Sequence, residues 1–201
     1  YKRQTYSGYG RDSASAAVCA STGLALVTVP LVLAWLGMNA GEWGVDPHRI
    51  SIGGFSGGGN LAASACLQAR DRGTLTPRLQ VLGVPSLDVA GDVDSKPSVV
   101  SNPMIGPALL TVVRRTYFKD APRRCEPYAS PLLAESVSGL PPAVIYTAEY
   151  DSLRAEGDAY AARLKAENLL IEHRVVPHRD HYFLDTDHPC LLYTSPSPRD
   201  S

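Results

Sequence analysis

The sequence predicts an α/β fold built on a mostly parallel sheet with helices on both faces. Short apolar runs alternate with segments of helical period from Leu24 to Val176. The runs are apolar along their whole length, not at every second residue, as in strands covered on both sides in a parallel sheet. The third observation is size: 201 residues, 44% of them hydrophobic, suffice for one domain with a substantial core.

Taken in order, "LALVTV" (24–29) reads as a buried strand and "LVLAWLGMNAGEWG" as a helix ending near Gly44. Pro30 interrupts the longest apolar run, Leu24 to Met38. That run is also shorter than the roughly 20 residues a spanning helix needs, so no membrane span is expected. "RISIGG" is a strand, "NLAASACLQARDRG" a helix closed by Gly73, and "RLQVLGV" a strand again. "PPAVIYTAEY" is a strand entered through two prolines. The helix "SLRAEGDAYAARLKAEN" places Leu153, Tyr160, Ala161 and Leu164 on one face, and "IEHRVV" is the last strand.

Residues 88–131 break this rhythm. They carry six of the sixteen prolines and one weak helical signal, Ala108 to Phe118. An insertion of this kind in an α/β fold lies over the strand ends as a binding wall or lid. The domain is expected to cover residues 1–188. Residues 189–201, polar and Ser/Pro-rich towards their end, are read as a disordered or non-native tail.

Nineteen basic and twenty acidic residues are interspersed, for a formal net charge of −1. With no basic stripe, neither nucleic acid nor an anionic membrane is an expected partner. Cys19, Cys66, Cys125 and Cys190 are scattered and form no CxxC pair, which leaves reduced structural thiols as the expectation. No His/Asp/Glu grouping has metal-ligand spacing and no GxGxxG follows a strand, so no metal and no cofactor are expected. The chain starts at Tyr1 with no charged-then-apolar leader, which points to a cytoplasmic protein. A start without methionine suggests that an N-terminal part is missing.

Gly54-Phe55-Ser56-Gly57-Gly58 is a G-x-S-x-G pentapeptide between a predicted strand and a predicted helix. A serine raised on such a turn adopts a strained backbone, and its glycine neighbours remove the Cβ atoms that would clash. The following helix aims its N-terminus at the serine, so a backbone N–H can meet a developing oxyanion. A serine hydroxyl needs a histidine base held by a carboxylate, and in hydrolases of this class the chain order is Ser, acid, His. Asp151 follows the strand "AVIYTAEY", and His181 follows "IEHRVV" by a short loop. All three residues fall at the C-terminal ends of strands, on one rim of the sheet.

The competing residues are placed less well. His173 lies inside a predicted strand, while His178 shares the loop of His181 and is its main rival. His48 sits at the opposite rim and His188 abuts the tail. Among acids, Asp158 is inside a helix, Asp180 and Asp185 are too near the histidine in sequence, and Glu149 is expected to hydrogen-bond locally.

Together "NAGEWGVDPHRISIGGFSGGGNLAA", "VLGVPSLD", "YASPL", "GLPPAVIYTAEYDSLRAEGDAYAARL" and "HYF" resemble the hormone-sensitive-lipase-like branch of the α/β-hydrolases, the fold-3 carboxylesterases. The resemblance runs from Asn39 to Leu184. It implies an α/β-hydrolase fold, incomplete at the N-terminus, with Ser56 as nucleophile, Asp151 as acid and His181 as base. It further implies hydrolysis of short to medium acyl esters, a small-molecule substrate class, without a cofactor.

The chain departs from the family pattern at four places. GFSGG stands where GDSAG is usual, and Tyr182 replaces the glycine that usually follows the histidine, which would narrow the pocket. The HGG oxyanion motif is absent, and "YSGYG" does not match it, so Gly57 is the one motif-matched oxyanion donor. At Pro30 the strand "LALVTV" runs almost directly into a helix, which implies a strained connection or a lost segment. A serine carboxylesterase is the leading reading. An amide or peptide hydrolase with the same triad, and a catalytically inactive fragment or binding protein on the same fold, are the alternatives.

Overall fold

A computed structural model describes residues 17–19, 25–96 and 98–183. The described residues form five strands: β1 (Ala17–Cys19), β2 (Ser51–Phe55), β3 (Leu79–Gly83), β4 (Ala143–Ala148) and β5 (Leu170–Val176), the last four where the alternation predicts them. They lie in sequence order in one sheet, and every neighbouring pair is parallel. The register aligns Ile52 with Gln80 and Leu82 with Ile145, so one face of the sheet carries Ile52, Leu82, Ala143 and Ile145, all fully or almost fully buried.

Helices α2 (Gly57–Arg72) and α4 (Arg154–Ala166) rest on that face, and α1 (Ala25–Asn39) packs on α2. Parallel crossovers are right-handed, so strands laid down in one direction place these crossover helices on one side of the sheet. On the other face Val81 stays 36% exposed.

Helix α2 is buried at every position from Gly58 to Ala69. It lies between the sheet and α1, which explains a run of small and apolar residues without an amphipathic stripe. Its end is set by Gly73, whose φ of 61° closes the last turn as only glycine does without strain. In α4 the predicted stripe is the buried one: Tyr160, Ala161 and Leu164 join the same core as Leu61, Cys66 and Leu82. Burial pushes the Cys66 thiol well above its ordinary value, so this cysteine acts as a small core residue.

The predicted strand at 24–29 is a correction. These residues enter α1 at Ala25, and the first described strand is β1, at 17–19. An unbroken apolar run does not distinguish strand from buried helix; length decides, and here it continues to Met38, which is helical length. Pro30 therefore does not divide two elements. It sits inside α1, forgoing one backbone hydrogen bond. The tight strand-to-helix connection inferred at this point does not exist in the structure.

The insertion between β3 and β4 contains α3 (Pro107–Thr116), one residue from where its weak pattern began. It is tied down at several points. Lys96 pairs with Glu156 of α4, and the other Glu156 oxygen accepts the Leu87 N–H at 2.8 Å. Arg163 of α4 donates to the carbonyls of Leu132 and Ala134. The predicted tail, 189–201 with Cys190, and also Asp185 and His188 before it, lie outside the described residues.

Candidate active site

Strand β2 ends at Phe55 and α2 begins at Gly57, which leaves Ser56 alone to reverse the chain. Its φ of 56° and ψ of −120° lie where a residue with a Cβ is strained. Hydrogen bonds impose this conformation. The Ser56 N–H donates to the Gly83 carbonyl at 2.8 Å, and its carbonyl accepts from Asn60 N and Ser86 N. Glycine is required around it: a Cβ on Gly54 would lie 2.1 Å from the Gly58 carbonyl oxygen, and one on Gly59 2.8 Å from Pro85.

Asp151 stands three residues beyond β4, and its Oδ1 accepts the Leu153 N–H at 3.0 Å. His181 stands five residues beyond β5. Its Nδ1 lies 2.8 Å from Asp151 Oδ2 and its Nε2 2.7 Å from Ser56 Oγ. Asp151 and His181 are each only 4% exposed. An ionised carboxylate can only accept, so Nδ1 carries the proton and Nε2 is left to accept from the serine hydroxyl. The structure thus brings Ser56, Asp151 and His181 into one hydrogen-bonded chain.

Gly57, the expected oxyanion donor, opens α2 beside Ser56 and borders the same pocket. The rivals lie elsewhere. His173 reaches Thr147 Oγ1 and Asp158 at 3.1 Å from within the sheet. His178 faces solvent and bonds the Tyr150 hydroxyl, and its N–H donates to Glu149. His48 is exposed.

A cavity of about 190 Å³ opens on Ser56 and Gly57. Its wall is apolar, with Val89, Ile105, Leu109, Leu110, Val113 and Phe118 supplied by the insertion. Tyr182, expected to narrow the pocket, is not among its lining residues and packs its ring on Phe55 instead.

Over residues 25–185 the sequence matches the family described as alpha/beta hydrolase fold. The chain belongs to that family. This α/β hydrolase is 37% identical over 149 residues to the carboxylic ester hydrolase LipN of Mycobacterium tuberculosis, covering 72% of this chain and 40% of LipN. It is 39% identical over 133 residues to an arylesterase of Saccharolobus solfataricus, covering 66% and 43% of the two chains. Among solved structures, EstE1, a carboxylesterase from a metagenomic library, superimposes with a TM-score of 0.71 at 35% identity, over 79% of this chain and 54% of EstE1. The α/β hydrolase chain thus spans less than half the length of the curated relatives it matches. Among its described residues no helix is long and apolar enough to cross a membrane. No group of three or more His, Cys, Asp or Glu could hold a metal ion there either.

Two site residues of this α/β hydrolase escape sequence reasoning. Asn60 donates to the carbonyls of Ser86 and Ala129 at 2.7 and 2.9 Å, holding the loop after β3 and the end of the insertion against the serine turn. Its signal is one amide among the glycines, alanines and Leu61 that make up residues 57–63, the opening of the helix. Asp180, set aside as a neighbour of His181, accepts the His181 N–H at 2.7 Å and the Met104 N–H at 2.8 Å. It joins the histidine loop to the insertion, a contact that no local pattern announces.

Proposed function

We propose that this α/β hydrolase is a serine carboxylic-ester hydrolase acting on short to medium acyl esters. Ser56 Oγ attacks the ester carbonyl carbon while His181 Nε2 takes the hydroxyl proton. Asp151 holds the Nδ1–H tautomer and balances the imidazolium as it forms. The oxyanion of the tetrahedral intermediate is met by the Gly57 N–H at the start of α2. Collapse expels the alcohol, which receives the proton from His181 and leaves an acyl group on Ser56. Water, deprotonated by His181, then releases the acid. Residues 88–131 form the acyl wall, since the apolar lining of the cavity comes largely from them.

The observation that carries this reading is the continuous Ser56–His181–Asp151 hydrogen-bonded chain at the mouth of an apolar cavity. The names of the relatives, a carboxylic ester hydrolase and an arylesterase, agree with it. The experiment compares p-nitrophenyl acetate hydrolysis by wild type and Ser56→Ala. A loss of at least about 10³-fold is expected, and equal rates would overturn the assignment. Matched p-nitrophenyl ester and anilide substrates test the bond type, with the ester hydrolysed much faster.

A further inference from the structure

Phe55 ends β2 immediately before Ser56. The parallel register sets it beside Gly83 of β3, and a Cβ on Gly83 would stand 2.8 Å from the Phe55 ring. The ring occupies that space because position 83 is glycine. From there it meets three consecutive aromatic residues of the histidine loop. Its centroid is 5.7 Å from that of His181 at an interplanar angle of 68°, 6.1 Å from Tyr182 at 72°, and 5.6 Å from Phe183 at 57°. Edge-to-face and tilted contacts at these distances are the favourable geometry for aromatic pairs.

The loop needs such an anchor. His181 lies beyond the end of β5, after His178 with its φ of 56°, and no helix or strand holds it. Upstream, hydrogen bonds fix the loop: His178 N–H to Glu149, Tyr150 N–H to the Arg179 carbonyl, and the His181 and Met104 N–H groups to Asp180. From the His181 ring onward, aromatic contacts with Phe55 add to the ring's bonds to Asp151 and Ser56.

We propose that Phe55 is a positioning residue for His181, seating the imidazole between Asp151 and Ser56 by packing against its ring and against Tyr182 and Phe183. Base and nucleophile are then referenced to adjacent residues of one strand end. The proposal rests on the reading of Ser56, His181 and Asp151 as the acyl-transfer triad.

The test measures p-nitrophenyl acetate kinetics, and the low-field proton resonance of the His181 Nδ1–H bonded to Asp151, in the 201-residue chain. Phe55→Ala is expected to lower kcat about 10- to 100-fold, the scale of a misplaced catalytic group. KM should stay within about twofold, and the low-field proton should broaden or vanish. Phe55→Tyr should restore both signals, whereas Phe55→Leu, which fills space without a ring, should not. Gly83→Ala should lower kcat in the wild type and cause no further loss in Phe55→Ala. An unchanged kcat and proton signal in Phe55→Ala, or full restoration by Phe55→Leu, would overturn the proposal. Ser56→Ala separates the two ideas. If it hydrolyses ester at the wild-type rate, the triad reading falls, and the proton signal alone then decides whether Phe55 positions His181.

Discussion

Ser56 Oγ and His181 Nε2 stand 2.7 Å apart although 125 positions separate them in the chain. The bond links the end of β2 to the loop after β5, across two intervening strands, so it depends on the whole sheet being in register. It also depends on the imidazole presenting the correct tautomer. Asp151→Asn keeps the size of the side chain but lets an amide N–H face Nδ1, which favours the other tautomer. Ester turnover should fall by about 10⁴-fold, with the melting temperature little changed. A fall of less than tenfold would show that Asp151 does not orient the base.

Gly54→Ala should prevent the serine turn from forming. The added Cβ would meet backbone, the Gly58 carbonyl, at 2.1 Å, and no side-chain rotation can relieve that contact. Destabilisation of at least about 3 kcal/mol is expected in urea unfolding. Gly41→Ala serves as control, because a Cβ there meets nothing within 4 Å.

The buried pair Lys96–Glu156 makes a prediction about pH. Burial raises the Glu156 carboxyl above its ordinary value of 4.5, while Lys96 and the Leu87 N–H pull it back down. A carboxyl raised by folding favours the protonated form. Its stabilising contribution is full below about pH 4.5 and is lost as pH rises through the folded value. Lys96→Met removes the main opposing charge, so the variant should lose stability more steeply than wild type above that pH, with a loss of about 3 kcal/mol near neutrality. Adding Glu156→Gln should flatten the extra slope. Melting temperatures measured across the pH range check both.

Filling the cavity should shorten the acyl preference. Val113→Trp places an indole ring where an isopropyl group now lines the cavity beside Ser56. Hydrolysis of p-nitrophenyl hexanoate should fall about tenfold or more relative to the acetate. A proportional loss on both substrates would place the acyl group elsewhere.

Much of this was legible in the sequence because the informative features are local. The G-x-S-x-G turn between a strand and a helix, Asp151 at one strand end and His181 after another are each readable within a few residues. A parallel sheet then brings strand ends to one rim. What could not be read is non-local or degenerate. "LALVTV" has the composition of a strand, yet it continues into an apolar stretch of helical length, and only the fold resolves that. Which face of the sheet α2 and α4 cover follows from strand order and crossover handedness, which periodicity does not encode. Asp180 holds Met104 across 76 positions, and Phe55 reaches His181 through the space left by Gly83. Such contacts become visible only once the strands are in register.

The most direct measurement is covalent capture of the nucleophile. The chain is incubated with a diethyl phosphoryl ester, digested, and the modified peptide is sequenced by mass spectrometry. A stoichiometric adduct on Ser56 is predicted, abolished in Ser56→Ala and strongly slowed in His181→Ala. A folded chain that stays unmodified, or carries the adduct on another residue, would contradict it.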